Sequence, residues 1–225
     1  METIKTQLEV LIFDMAGTVV NEDNIVYKTM YQTCLNHGMN LSFEDVLTHG
    51  AGKEKKTAFQ DLIDVKQVSL DADLLFQSFK KSLATAYESA DVKSFISEST
   101  LHNLKKNYTI VFNTGYDKKT ATKLLEKLGW EHQNEYDLLV CSNDVARGRP
   151  NPDMILFAMQ HLGIQDPSKI LKAGDTQIDI LEGKNASCGI TVGVLSGAQT
   201  KEELLEVNPD YILESLEDLD QVLSI

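Results

Sequence analysis

Short apolar runs that recur between helix-period patterns restrict this chain's fold more than any other feature. Val10–Phe13, Tyr108–Phe112, Leu138–Cys141, Ile170–Ala173, Ile190–Leu195 and Tyr211–Leu213 read as strands. Most are apolar on both faces, as strands of a parallel sheet covered on two sides must be. Between them, Lys118–Leu128 places apolar residues at 121, 124, 125 and 128. Pro152–Leu162 places them at 154, 155, 158, 159 and 162, and its proline suits a first helical turn. Each set lies on one helical face. Strands alternating with helices of this length build β-α-β units. The expected fold class is α/β, an open, doubly wound, Rossmann-like parallel sheet.

One region breaks the alternation. From 21 to 89 there is no convincing strand, but Ile25–Asn36, Lys55–Val65 and Ala72–Tyr87 carry amphipathic helical patterns. This organisation predicts a core of residues 1–20 and 90–225 and an inserted helical subdomain over 21–89. Such an insert would sit over the carboxyl end of the first strand, where ligands bind in sheets of this kind. The tail, E-S-L-E-D-L-D-Q-V-L, reads as a final amphipathic helix.

The formal net charge of −13 opposes binding to nucleic acid or an anionic membrane. An anionic small-molecule substrate therefore needs a locally positive site. Cys34, Cys141 and Cys188 are odd in number and widely spaced, which suits reduced thiols. No apolar run approaches the roughly 20 residues of a membrane span, and the first residues lack a signal-peptide pattern. A cytoplasmic protein is expected.

Asp14 ends the first run and Asp175 ends another, in L-K-A-G-D-T-Q-I-D. Parallel strands put both acids at one sheet edge. Two neighbouring carboxylates repel unless neutralised, and hard oxygen ligands suit Mg²⁺, which also attracts phosphate. Asp179, one turn into the next helix, can hold metal-bound water. Taken alone, each acid reads as a turn former or helix cap; it is the agreement of the two sites that points to a metal. Thr114, in I-V-F-N-T-G-Y, offers a hydroxyl to a phosphate oxygen. Arg149, in R-G-R-P-N-P-D-M, offers a cation to a carboxylate and to phosphate, with Arg147 as a nearby competitor.

In order, D-x-A-G-T, T-G, R-P-x-P and G-D-T-x-x-D form a signature that resembles the haloacid dehalogenase superfamily of hydrolases over nearly the whole chain. The resemblance implies that the insert is a C1-type cap. It implies Asp14 as a nucleophile forming an aspartyl-phosphate, with Thr114 holding the transferring phosphoryl group. Arg149 takes the position where most members have Lys. Asp14, the Ala16 backbone carbonyl and Asp175 would ligate Mg²⁺, and Asp179 would support the metal waters.

Most phosphatases of the superfamily read D-x-D, and their second acid protonates a departing alkoxide. Such assistance is typically worth about 10²–10⁴-fold. Ala16 cannot supply it, so either activity is impaired or the leaving group needs no acid. The segment T-H-G-A-G-K-E-K-K offers an alternative in Lys53, whose amine can condense with an aldehyde to give an iminium electron sink. Lys53 is expected to open a helix, where the helix end and Lys55 and Lys56 disfavour a further positive charge. By itself, the same cluster reads as a solvated basic face. D-x-A-G-T, Arg149 and G-x-x-K at Gly50–Lys53 together resemble the phosphonatase-like branch. So do T-G-Y-D-K, L-G-W, G-R-P-N-P-D-M and V-G-V-L-S-G-A. That resemblance implies a phosphonoaldehyde substrate and a Schiff base on Lys53. It also implies a homodimer. Gly50, Gly115 and Tyr116 are expected to line the substrate site with Ala16.

Overall fold

The computed structural model describes residues 8–51 and 53–223. In chain order the elements are β1 (Val10–Phe13), β2 (Val20–Asn21), α1 (Ile25–Asn36), α2 (Phe43–Gly50), α3 (Lys55–Lys66), α4 (Ala72–Ser89) and β3 (Lys93–Ser94). There follow α5 (Glu98–Lys105), β4 (Thr109–Thr114), α6 (Lys118–Leu128), β5 (Leu138–Cys141), α7 (Asp153–Leu162) and β6 (Ile170–Gly174). The chain continues through α8 (Gln177–Asn185), β7 (Ile190–Val194), α9 (Lys201–Leu205), β8 (Tyr211–Leu213) and α10 (Asp220–Leu223).

Two compact units result, Glu22–Val92 and the remainder of the chain. In the larger unit six parallel strands run in the order β5-β4-β1-β6-β7-β8. The strand order reverses at β1, the switch point where open α/β sheets bind ligands. Every residue of β1 is buried, because helices cover both faces. Val10 and Ile12 pack with Val111, Val140 and Ile170 beneath Met154, Ile155 and Ala158 of α7. The alternate face carries Phe112, whose ring centroid lies 5.7 Å from Trp130 and 5.2 Å from Tyr136. The amphipathic face read from Lys118–Leu128 buries Ala121, Leu124 and Leu125, and Asp117 caps that helix by accepting from the Thr120 N–H.

The smaller unit is helical. α1 packs on α2 and α4, and α3 packs on α2 and α4. Phe59 of α3 meets Phe79 of α4 edge-on at 5.6 Å between centroids. Ser42 and Asp45 form a reciprocal capping box at α2. The unit begins at Glu22 rather than at 21 and ends at Val92 rather than at 89. The short antiparallel pairing of Asn21 with Lys93 assigns both of those residues to the sheet unit.

The tail departs from expectation. It forms a 3-10 turn at Leu216–Asp218 and the single turn α10, not one continuous amphipathic helix. Its buried residues are Leu216, Leu219 and Val222. That three-residue spacing suits 3-10 geometry better than the 3.6-residue period.

Candidate active site

The carboxyl ends of β4, β1 and β6 place Thr114, Asp14 and Asp175 on adjacent parallel strands. Asp14 follows Phe13 directly, and its backbone N–H donates to the Ala173 carbonyl at 3.0 Å, so it extends the β1–β6 ladder. The chain then turns tightly. The N–H groups of Thr18, Val19 and Val20 all donate to the Met15 carbonyl. Gly17 takes φ +86° in this turn, a conformation that disfavours any side chain. Ala16 is half-buried in the same turn, bridged to Val20.

Asp175 is held by Thr18 Oγ1 at 3.3 Å and by the Ala198 N–H at 2.7 Å. Ser196 Oγ donates to the Gly17 carbonyl at 2.7 Å, which ties the loop after β7 to the turn after β1. Asp179 stands in the first turn of α8 and accepts from Thr176 Oγ1 at 2.5 Å. Ligand oxygens of Asp14, Asp175 and Asp179 all lie within 4.8 Å of one another, and all three residues are buried.

Arg149, in the loop before α7, organises this acid group. Its Nη1 donates to Asp14 Oδ1 at 2.7 Å and lies 2.8 Å from Asp179 Oδ1. Its Nη2 donates to the Asn113 carbonyl at 2.5 Å and to Asn113 Oδ1 at 2.7 Å. Nε lies 3.1 Å from Glu182 Oε2, close enough for charge attraction but without hydrogen-bond alignment. The guanidinium pairs with the Asp14 carboxylate as expected, and it also faces Asp179, Asn113 and Glu182. Arg147 pairs instead with Asp153 at 2.7 Å on the surface.

Burial pushes Asp14 above the ordinary carboxylate range, with Asp179 adding to the rise and Arg149 and Lys172 offsetting part of it. Asp175 is pushed up to about 8, first by burial and then by Asp14 and Asp179. Burial alone would raise Asp179 too, but Arg149 and Lys172 outweigh it and the net direction is down. For Arg149, burial opposes the charge, yet Asp179, Asp14 and Glu182 prevail and hold the guanidinium charged. The buried carboxylates Asp14, Asp175, Asp179 and Glu182 face two buried cations, Arg149 and Lys172, which leaves two negative charges in excess. All-oxygen donors and that deficit fit a hard divalent cation. Without one, burial and the neighbouring acids favour the protonated form of Asp175.

Thr114 is buried at the end of β4, where its Oγ1 accepts from the Tyr116 N–H at 3.2 Å. The hydroxyl proton remains to be donated. Gly115 is exposed, with nothing near a Cβ built on it, and Tyr116 is half-buried with its carbonyl accepting from Ser142.

Gly50 and Lys53 belong to the helical unit. Gly50 ends α2, buried against Met30, where a Cβ would stand 3.4 Å from the Met30 Cε. Gly52 lies outside the described residues. Lys53 does not open a helix: α3 begins at Lys55, and Glu54 caps it by accepting from the Thr57 N–H at 2.8 Å. The Lys53 Nζ donates to Asp61 Oδ2 at 2.5 Å, one turn and a half along α3. Lys55 Nζ donates to the Lys53 carbonyl at 2.9 Å. Lys56 pairs with Asp73 at 2.8 Å, and Lys55 lies over the Tyr27 ring at 5.0 Å.

Sequence reasoning missed Asn113, Lys172 and Glu182. Lys172 is wholly buried in β6, where its Nζ donates to Asn113 Oδ1 at 2.8 Å and to Asp179 Oδ1 at 3.0 Å. Asn113 Nδ2 donates to both oxygens of Glu182 at 3.0 and 2.9 Å. A signal existed: a lysine inside I-L-K-A-G has no polar strand face to occupy, so it must find buried acids. Among the described residues, no helix is long and apolar enough to cross a membrane.

Residues 11–193 match the family model described as haloacid dehalogenase-like hydrolase. The chain is 27% identical to a phosphonoacetaldehyde hydrolase of Latilactobacillus sakei, covering 97% of this chain and 96% of that one. It is 29% identical to the pyrophosphatase PpaX of Bacillus velezensis, covering 93% of each. The crystal structure of a hydrolase from Pseudomonas syringae superposes with a TM-score of 0.82 at 22% identity, covering 96% of this chain and 98% of that one. With the family model spanning most of its length and the acid cluster at the sheet's switch point, this chain belongs to the haloacid dehalogenase-like hydrolases.

Proposed function

We propose that this hydrolase cleaves the carbon–phosphorus bond of a small phosphonoaldehyde, phosphonoacetaldehyde or a close analogue, with Mg²⁺ as its cofactor. The observation that carries the reading is Ala16. Two residues beyond Asp14, where a phosphatase of this superfamily keeps its acid–base carboxylate, stands a methyl group. A leaving group that departs as an enamine needs no such acid. The resemblance of the chain to a phosphonoacetaldehyde hydrolase supports the same substrate class.

In this reading the Lys53 ammonium gives up a proton and releases Asp61, its neutral amine condenses with the aldehyde and expels water, and the imine takes that proton back to become an iminium. Asp14, one oxygen of which is fixed by Arg149, attacks phosphorus with the other. The carbon–phosphorus electron pair moves into the iminium system and leaves an enamine. The Thr114 hydroxyl donates to a phosphoryl oxygen. The enamine takes a proton at carbon, and hydrolysis of the resulting iminium frees acetaldehyde and Lys53. Water then cleaves the aspartyl-phosphate, releasing phosphate and restoring Asp14. Bound to Asp14, Asp175 and the Ala16 carbonyl, with Asp179 supporting its waters, Mg²⁺ supplies charge neutralisation for the phosphoryl group. Gly50, Gly115 and Tyr116 line the substrate site in this reading. The enzyme works in the cytoplasm as a homodimer on a small molecule, without nucleic acid or membrane.

A second reading is favoured by the Lys53–Asp61 pair. If Lys53 stays on its carboxylate, the same core is a phosphatase for a small phosphomonoester, without Schiff-base chemistry. The similarity to pyrophosphatases is compatible with that reading. Lys56 also stands where the phosphonatase branch carries a histidine three residues after its Schiff-base lysine. Phosphate release from phosphonoacetaldehyde with Mg²⁺, measured for the wild type beside Lys53→Arg, separates the two. The first reading expects release by the wild type and its loss in the variant. Equal release by both proteins, or turnover of p-nitrophenyl phosphate alone, sinks it in favour of the second.

A further inference from the structure

Beneath the acid cluster lies a second, fully enclosed layer of polar side chains that the proposed chemistry does not use. Lys172, Asn113 and Glu182 are each 0% exposed. Asn113 links the two layers. Its Oδ1 accepts from Lys172 at 2.8 Å and from Arg149 at 2.7 Å, while its Nδ2 is held by both oxygens of Glu182. Rotating that amide by half a turn would direct Nδ2 at two cations and Oδ1 at a carboxylate. The two charges therefore permit one orientation only. Lys172 also reaches Asp179 Oδ1 at 3.0 Å, the oxygen that Arg149 Nη1 approaches at 2.8 Å. Arg149 is thus clamped from two directions by atoms that Lys172 itself holds.

We propose that Lys172 is a positioning residue for the nucleophile: through Asn113 and Asp179 it fixes the Arg149 guanidinium, and so the orientation in which Asp14 meets phosphorus. The assignment rests on Asp14 and Arg149 acting as proposed above. It extends that reading to a residue that touches neither substrate nor Asp14. Lys172 donates to Asn113 and Asp179 and lies 3.4 Å from Glu182 as an ion pair, and no shorter or neutral side chain reproduces both the donors and the charge.

The test compares Lys172→Gln with the wild type. Two properties are read on folded protein well below each Tm. One is the kcat and KM for phosphate release. The other is Mg²⁺-dependent binding of beryllium fluoride, a mimic of an aspartyl-bound phosphoryl group, followed by ¹⁹F NMR. Misorientation of the nucleophile lowers kcat by about tenfold to 100-fold with little change in KM. It weakens beryllium fluoride binding in parallel. A second variant, Lys172→Met with Glu182→Gln, removes one buried charge of each sign and so leaves the net charge of the cluster as it is in the wild type. It is expected to fold and to remain slow. A lowered Tm with wild-type kcat and wild-type beryllium fluoride binding in either variant overturns the assignment and leaves Lys172 a stability residue. If the wild type leaves phosphonoacetaldehyde intact, the substrate reading falls, and the beryllium fluoride comparison still decides for or against Lys172.

Discussion

Asp175 carries the most informative perturbation in the molecule. An ordinary aspartate titrates at about 3.9. In the fold its carboxyl is pushed up to about 8, by burial first and by Asp14 and Asp179 next. The metal-free native state therefore holds a proton that the unfolded chain releases above about pH 4. Where the native state binds more protons, stability falls as pH rises. The contribution is intact below about pH 4, erodes through the neutral range and is gone above about pH 8. A divalent cation needs the ionised form, so its stabilisation grows over the same window. At about 100 times its Kd, such an ion adds about 2.7 kcal/mol. Thermal melts with EDTA and with Mg²⁺, run from acid to mildly alkaline pH, are expected to separate progressively as pH rises. Parallel curves would remove Asp175 from the ligand set.

The loop following β7 acts on the same carboxylate from the backbone. Gly197 faces Asp175 so closely that a Cβ there would overlap its side chain, and the next N–H, of Ala198, is the donor that aims Oδ2. Gly197→Ala must displace the Asp175 carboxylate or the loop. Orientation of a ligand by its hydrogen-bond partners is worth about 10–100-fold in metal affinity. The Mg²⁺ concentration for half-maximal thermal stabilisation is expected to rise by about tenfold in the variant, with the fold retained. An unchanged midpoint would show that the loop does not aim the ligand. Elements of this kind differ in how far the sequence reveals them. β1, α1 and α6 follow directly from local pattern, because a buried strand or an amphipathic helix writes its period into consecutive residues. Asp14, Thr114 and Asp175 are legible because parallel strands align their carboxyl ends. The polar group that holds Arg149 is not, since Asn113 and Glu182, and Lys172 behind them, come from three elements that meet only in the folded sheet. Lys53 shows the same limit: its spacing to Asp61 was visible, but their pairing depends on where α3 begins.

At the scale of the whole molecule, the long-range field and the local site oppose each other. The chain carries a formal net charge of −13, and the phosphonate or phosphate substrate of the proposed function would approach as an anion. The two buried cations nearest Asp14 are already paired with carboxylates, so the chain's own cations give the acid cluster no surplus of positive charge. On the proposed reading, attraction at short range comes from a bound divalent ion, while the net negative charge repels beyond it. Salt screens charges separated by more than about 10 Å at 0.1 M, and closer or buried pairs much less. Added salt should then weaken the repulsive outer field more than the attraction at the ion. With Mg²⁺ held saturating, kcat/KM for the anionic substrate is expected to rise by about twofold or more between low salt and 0.15 M monovalent salt, through KM rather than kcat. A protein that draws anions in through a positive funnel behaves in the opposite sense, because the same salt screens the steering. A steep fall in kcat/KM with salt would therefore mean that this chain presents a positive approach surface strong enough to overcome its net charge. Such a surface would have to be built from lysines other than Lys172, which is wholly enclosed.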